Sequence, residues 1–239
     1  MSGEVSQLWV YLSTSPLLWL TATLLAYQLG LWCFKRLGYS PLAHPVVIAI
    51  FILVMLLKFS ATDYQTYFRG AQFIHFLLGP ATVALAIPLY REVAMIRKTF
   101  WPIAFTLLFG SLTAIASAVG IAWLLGGERV LLLTLAPKSV TTPIAMGIAE
   151  QIGGLPSLTA VAVVLTGITG VVLGDLVLNL ARVRDEAARG MAFGIASHGI
   201  GTAHAMQQSR ITGAFSALAM ALNGLLTALL LPLLISLLR

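Results

Sequence analysis

Long stretches without charge constrain this chain more than any other feature of its sequence. Six intervals of at least 21 residues contain no Asp, Glu, Lys or Arg. A helix that spans a membrane needs about 20 apolar residues, and it satisfies its own backbone polar groups inside the bilayer. Only 9% of the residues are charged, whereas soluble domains carry about 25%. The sequence therefore predicts an all-α, multi-pass membrane protein, with one integral membrane domain over residues 1–239.

The apolar stretches and the turn residues between them place the predicted helices. Crossing helices are expected near residues 9–34, 45–59, 72–90, 101–125, 156–181 and 212–237. Segments 130–149 and 189–209 are less regular, because proline, glycine and polar residues interrupt them. Two architectures stay open at this point: about six crossings plus two broken or re-entrant segments, or eight crossings.

Basic residues indicate how the chain is oriented, because Lys and Arg favour the cytoplasmic side of short loops. They cluster at residues 35–36, 91–98 and 182–189. Three full crossings between the second and third clusters would place those clusters on opposite sides of the membrane. If segment 130–149 instead enters and leaves on one side, all three clusters are cytoplasmic. We favour this re-entrant interpretation over a crossing that breaks the rule at one loop.

A weak internal repeat relates the two irregular segments. The pattern Ala-x-basic-x-aliphatic-x-Thr-x-x-Ala occurs in "APKSVTTPIA" and again in "ASHGIGTAHA". Each repeat, over residues 130–181 and 189–237, would consist of one broken segment followed by one crossing helix. The two broken segments would then enter from opposite sides of the membrane. Inverted repeats with a substrate site at their interface, near the bilayer midplane, are typical of transporters.

The first irregular segment places a cation, Lys138, within apolar sequence. An ammonium at membrane depth costs about 3 kcal/mol or more, so it needs a carboxylate, backbone carbonyls or an anionic substrate as partner. Pro137 and Pro143 break the helix and free carbonyls on either side of it. Three hydroxyl groups accompany the lysine, those of Ser139, Thr141 and Thr142. This combination suits a small carboxylate or hydroxy-carboxylate; the alternatives are a lysine that reaches the membrane interface or pairs with Glu150 or Asp175.

The second irregular segment contains the other candidate substrate-binding residues, Ser197, His198 and Thr202. His198 suits carboxylate binding or proton transfer, since the unperturbed pKa of histidine is near 6.5. Gly199 and Gly201 permit unusual backbone dihedral angles and are the predicted helix break. His198 and His204 do not have the spacing of three or four residues that a helical metal site uses, so no metal site is predicted. For His204, a structural hydrogen bond to a backbone carbonyl is the alternative.

Asp175 is the one acid inside an otherwise apolar span and lies one helical turn before Asn179. Together with His198 and His204 it is assigned to proton or ion coupling, although it could instead neutralise Lys138. Asn223 is a similar polar insertion in the final helix, of the kind that more often links helices.

Pro80 and Pro88 interrupt the predicted helix 72–90. They either border the same cavity as the irregular segments or form simple proline kinks. No nucleotide-binding, zinc-binding or nucleophile motif occurs in the chain, so an enzyme, a cofactor or a nucleic-acid partner is not expected.

Four motifs make this sequence resemble the LrgB family, which includes the CidB proteins and the C-terminal half of the plastid glycolate/glycerate translocator. They are "LLGPATVALAIPLYRE", "PKSVTTPIAM", "IGGLPSLTAVAVVLTGITGVVLG" and "AARGMAFGIASHGIGTA". The resemblance implies a bacterial cytoplasmic (inner) membrane protein that has a small LrgA/CidA-type membrane protein as partner. It implies two functions: holin- or antiholin-like regulation of murein hydrolase activity and cell lysis, or transport of small monocarboxylates.

The residues themselves distinguish these two functions. A holin-like pore needs a homo-oligomer and little substrate specificity, so it has no evident use for a lysine between two prolines. A carrier needs such an arrangement. The sequence therefore favours a transporter of glycolate, glycerate, pyruvate or lactate, with proton coupling as an option, and keeps the lysis regulator as the alternative.

Overall fold

The computed structural model describes residues 15–38, 43–77, 80, 83–84 and 86–237, in which all regular secondary structure is helical. Two compact units divide the chain between Ala84 and Leu85. The helices, α1 to α11 in chain order, are Pro16–Arg36, Pro45–Phe59, Tyr64–Phe76, Ala86–Arg91, Val93–Lys98, Phe100–Leu124, Arg129–Leu135, Thr142–Ile152, Pro156–Leu180, Glu186–Gln208 and Arg210–Leu237. The first three belong to one unit and the others to the second. The single membrane domain stays a prediction.

Four of the described helices, α1, α6, α9 and α11, are long and apolar enough to cross a membrane, and α2 is apolar but shorter. The predicted class, an all-α multi-pass membrane protein, is thereby confirmed. Helices predicted near 45–59, 101–125, 156–181 and 212–237 agree closely with α2, α6, α9 and α11. The helix predicted over 72–90 is different: α3 ends at Phe76 and α4 begins at Ala86, with part of the interval outside the described residues.

The first unit packs its helices through close backbone approaches. A side chain at Gly30 would meet the backbone of Pro45, and one at Gly70 would meet the backbone carbonyl of Pro16. Thr23 Oγ1 lies 3.2 Å from the hydroxyl of Tyr67, which links α1 to α3. Among the predicted site residues, the first unit contains only Pro80, which is exposed.

The segment from Arg129 to Ile152, here called the first hairpin, enters and returns on one side. Helix α7 ends at Leu135, irregular turns follow, and α8 begins at Thr142, with Pro143 in its first turn. Beyond α8, at Leu155, the backbone amide donates to Thr134 Oγ1 over 2.9 Å. The chain has therefore folded back to its own first limb, as a re-entrant course of segment 130–149 requires. The re-entrant course in the membrane itself stays a prediction.

The second hairpin, Glu186–Gln208, is α10 folded back at His198, whose dihedral angles of φ 41° and ψ −129° are non-helical. Arg189 in the first limb and Gln208 in the second both bind Asp175 Oδ1, over 2.5 and 2.9 Å. In a straight helix these two residues would be about 28 Å apart. The ring of Phe193 also lies 5.2 Å from that of His204, across the hairpin.

Helix α9 separates the two hairpins, whose bases contact its opposite ends. Its N-terminal end contacts the first hairpin, where Thr159 Oγ1 donates to the carbonyl oxygen of Thr134. Its C-terminal end contacts the second hairpin through Asp175. This is the order of elements that the inverted repeat predicts, although the sequence repeat itself stays a prediction.

An ion pair relates the basic clusters to these sides. Arg210 Nη2, at the start of α11, lies 2.9 Å from Glu92 Oε1, between α4 and α5. The clusters at residues 91–98 and 182–189 therefore lie at the same end of the second unit. The positive-inside rule predicts that this end faces the cytoplasm, which would make the second hairpin enter from the cytoplasm and the first from outside.

Candidate functional site

The tips of the two hairpins meet in the interior of the second unit, beside the middle of α11. The side-chain amide nitrogen of Asn223 donates to the carbonyl oxygen of Ser139 over 3.4 Å and to that of Ile195 over 3.2 Å. Ser139 lies in the irregular turn 136–141 of the first hairpin, which is called the first tip. Ile195 lies just before His198, which is called the second tip. Each of these carbonyls has been released from regular helical bonding by a break, so one side chain satisfies both.

Lys138 occupies the first tip and is half-buried. Its ammonium donates to Ser139 Oγ over 3.3 Å and forms no ion pair with a carboxylate of the described residues. It lies close enough to His198 in the opposite tip for its charge to act on that ring. The predicted pairing of Lys138 with Asp175 or Glu150 is therefore not seen.

A cavity of about 740 Å³ leads to Lys138 from the side on which the first hairpin enters. Its walls come mostly from apolar residues of α6, α7 and α9, and Glu128 lies near its rim. Volumes of about 300–1,000 Å³ are usual for small-molecule sites. A small molecule in this cavity would therefore contact mostly apolar side chains and one cation, Lys138.

His198 forms the second tip and breaks the helix there. The prediction placed this break at Gly199 and Gly201, which is wrong, because the left-handed φ belongs to His198 itself. The hairpin is held in this conformation by tertiary contacts: His198 Nε2 lies 2.9 Å from the carbonyl oxygen of Val163. A carbonyl only accepts, so Nε2 carries the proton and Nδ1 is left as an acceptor in the neutral ring. Gly201 instead allows the two limbs of the hairpin to approach closely, since a side chain there would meet the backbone of Phe193.

The two hydroxyl groups predicted beside His198 have different surroundings. Thr202 Oγ1 donates to the carbonyl oxygen of His198 over 2.8 Å and lies 3.0 Å from Ser216 Oγ, so it stabilises the break. Ser197 Oγ is buried and has no hydrogen-bond partner in the described part of the chain. It points at Gly170 on α9, where a Cβ atom would collide with it. Ser197 is therefore the unpaired hydroxyl of the second tip, and it is packed against α9.

Asp175 organises a polar cluster at the base of the second hairpin. Its carboxylate binds Arg189 over 2.5 Å, His204 Nε2 over 2.7 Å and Gln208 over 2.9 Å. Arg189 Nη1 also donates to Asn179 Oδ1 over 2.9 Å, which confirms that Asp175 and Asn179 share a face. The backbone-carbonyl partner suggested for His204 belongs instead to His198.

The remaining predicted residues lie near the tips or outside the site. Thr141 caps the N-terminus of α8 by position, without a side-chain hydrogen bond to it, and Thr142 is half-buried beside it. Pro137 is fully buried in the first tip. Pro88 lies within α4, but its side chain is not among those described. In the described residues no group of three or more His, Cys, Asp or Glu side chains could hold a metal ion.

The prediction that Asn223 links helices is confirmed, since its amide joins α11 to both hairpins. Sequence reasoning missed two other contributors to these contacts. Arg189 was counted only as part of a basic cluster, and Gln208 had no signal at all. Their roles depend on the fold-back at His198, which brings residues far apart in sequence to one carboxylate.

Comparisons with known proteins agree with the motifs. The family model described as LrgB-like family matches residues 23–237. The antiholin-like protein LrgB of Bacillus mycoides (strain KBAB4) is 31% identical over 218 residues, which cover 91% of this chain and 95% of that protein. Proteins of the same name from Bacillus cereus (strain B4264) and Bacillus anthracis (strain CDC 684 / NRRL 3495) show the same identity and coverage.

These names support the antiholin-like alternative of the sequence analysis, and none of them mentions transport. No solved structure matches this chain significantly. With the family model extending over nearly the whole sequence, and with relatives that match along almost their full length, the chain belongs to the LrgB-like family.

Proposed function

We propose that this protein is a carrier of small carboxylate anions in the bacterial cytoplasmic membrane. The observation that supports this proposal is Lys138, a half-buried cation at a hairpin tip without an ion-pair partner in the described residues. A charge in that position is costly unless an anion neutralises it. In the proposed site, the ammonium binds the carboxylate, with Ser139, Ser197 and His198 as further polar contacts.

Opposed hairpins suit a carrier better than an open pore. One hairpin enters from each side, and their tips meet where the substrate would be bound. Movement of either hairpin away from α9 would expose the site to one side only, as alternating access requires. The cavity above Lys138 corresponds to access from outside, and the closed base at Asp175 corresponds to exclusion from the cytoplasm.

Proton coupling is assigned to the Asp175 cluster and to His198. Asp175 and His204 share a hydrogen bond of 2.7 Å and lie at the base of the hairpin whose tip is His198. Protonation of the Asp175 carboxylate would remove its attraction to the Arg189 guanidinium. Opening of the second hairpin would thereby depend on the proton gradient.

The test of the carrier is uptake of radiolabelled glycolate, lactate and pyruvate into proteoliposomes, with and without a proton gradient. Lys138→Ala should lower uptake at least tenfold, because a charge-assisted hydrogen bond contributes about 1.5–3 kcal/mol. Lys58→Ala is the matched control, since Lys58 is an exposed lysine at the end of α2. Absence of saturable uptake by the wild type, or equal uptake by both variants, would overturn the carrier proposal.

The second candidate function is antiholin-like regulation of murein hydrolase activity and lysis, which the names of the relatives favour. A small LrgA/CidA-type membrane protein would be the partner. Both functions hold together if carboxylate flux alters the membrane potential or pH that triggers lysis. The discriminating experiment measures murein hydrolase activity and lysis in cells that produce the wild type or Lys138→Ala. If Lys138→Ala regulates lysis normally, regulation does not depend on carriage.

A further inference from the structure

Asn223 lies at the midpoint of α11, about 20 Å from either end of the helix, and only 1% of its surface is exposed. The two nearest polar atoms to its amide nitrogen are the carbonyl oxygens of Ser139 and Ile195. Carbonyl oxygens only accept, so the NH₂ group must face them. The orientation of the amide is therefore fixed by its neighbours.

This orientation directs the other half of the amide away from both carbonyls. Asn223 Oδ1 is buried and has no hydrogen-bond donor among the described residues. Buried polar atoms in folded proteins are almost always paired, so an unpaired acceptor at the middle of a membrane helix indicates a missing donor.

The missing donor belongs near the proposed anion site. Ser139 contacts Asn223 through its carbonyl oxygen and Lys138 through its hydroxyl group. The amide of Asn223 and the ammonium of Lys138 thus flank the same residue of the first tip. To reach Asn223 Oδ1, a small molecule would have to lie with its carboxylate on Lys138 and its second carbon beside Ser139.

We propose that Asn223 determines specificity by accepting a hydrogen bond from the 2-hydroxyl group of a 2-hydroxy acid. This inference rests on the proposed carrier function and narrows it. A 2-oxo acid would present a second acceptor to Oδ1, and an unsubstituted acid would leave Oδ1 unpaired. Sites that hydrogen-bond a substrate hydroxyl reject analogues that lack it far more strongly than apolar sites reject small differences in size.

Three acids with three carbons each test this assignment: lactate, propionate and pyruvate. They are compared by competition for uptake and by thermal shift in detergent. The wild type should prefer lactate over the other two by about tenfold or more. Asn223→Leu and Asn223→Ser should bring the ratio of lactate to propionate close to one, mainly by weakening lactate. A ratio measured within one variant is independent of how much folded protein is present.

Thr227→Val is the matched control. Thr227 is equally buried, lies one turn further along α11, and contacts Ser111 of α6 over 3.2 Å instead of the hairpin tips. Its substitution should change overall uptake without changing the ratio of lactate to propionate.

Three outcomes would overturn the inference. Equal handling of the three acids by the wild type would reject the role of Asn223 while the carrier function stands. An unchanged ratio in both Asn223 variants, with altered dependence on sodium, would assign Oδ1 to a cation. Failure of the wild type to bind or carry any of the acids would reject the carrier function and this inference with it.

Discussion

The two hairpins have the same order of elements but break their helices by different means. In the first, six residues between α7 and α8 are irregular, and two prolines make a continuous helix impossible there. In the second, the whole change of direction occurs at His198, whose backbone is held in an unfavourable conformation by contacts with Val163 and Thr202. The first break is thus local in origin and the second depends on tertiary structure.

The two hairpins also differ in where their charged side chains lie. The first hairpin has a cation at its tip, and its base is held by uncharged hydrogen bonds from Thr134 to Leu155 and Thr159. The second has a histidine at its tip and a charged base, where Asp175 holds both limbs. An unpaired charge at a tip, such as Lys138, is available to bind an anionic ligand. Paired groups at a base, such as Asp175 and Arg189, can hold a hairpin closed and separate when it opens. The comparison therefore assigns binding mainly to the first hairpin and gating mainly to the second.

The largest expected difference between the hairpins concerns their packing. A Cβ atom at Gly194 would lie 2.3 Å from the carbonyl oxygen of Ser216, whereas one at Gly147 in the first hairpin would meet nothing within 4 Å. Gly194→Ala should destabilise the protein by about 3 kcal/mol, because α11 cannot move away. Gly147→Ala should be neutral or stabilise by up to about 1 kcal/mol.

Thermal unfolding in detergent, followed by tryptophan fluorescence, measures both substitutions. Similar melting temperatures for Gly194→Ala and Gly147→Ala would contradict the close packing of the second hairpin on α11.

A smaller effect is expected at the base of the second hairpin. Asp175→Asn removes the charge that attracts Arg189 and His204, and the side chain of Asp175 is about one-third exposed, so solvent screens part of the loss. Hydrogen exchange over residues 186–208 should become about tenfold faster, with residues 129–152 unchanged.

Glu150→Gln provides the control, because Glu150 is an exposed acid of the first hairpin. If Asp175→Asn accelerated exchange equally in both hairpins, its role would be global stability and the gating assignment would fail.

The smallest effect is expected at the base of the first hairpin. Thr134→Val leaves the amide of Leu155 without its acceptor, which costs about 1 kcal/mol. Hydrogen exchange over residues 129–152 should become about fivefold faster, and residues 186–208 should not respond. A response confined to the second hairpin would show that the two bases are not independent.

The parts of this fold that the sequence predicts are those that depend on local chemistry. Apolar length gave α6, α9 and α11, and Pro137 and Pro143 marked the first break because proline removes a backbone donor wherever it stands. The fold-back of the first hairpin agrees with the course expected from the basic clusters, since Lys and Arg favour one side of the membrane.

The second break could not be located in the same way. Glycine was expected to adopt the unusual dihedral angles, because it does so without strain, yet His198 adopts them. Contacts from α9 and from Thr202 outweigh that local preference, and no pattern within the segment reveals them. The Asp175 cluster was equally hidden, since it joins residues that are adjacent only after the fold-back.

Asn223 has a consequence for how the protein is made. Its two acceptors, Ser139 and Ile195, precede it by 84 and 28 residues. Ribosomal synthesis therefore delivers both sets of freed carbonyls before their shared donor exists, and lipid supplies no substitute for it. Each tip must stay hydrated, or wait at the membrane surface, until the last helix has been inserted. Both tips can therefore pack into the protein interior only after α11 has been completed. The central site then forms in one step at the end of translation.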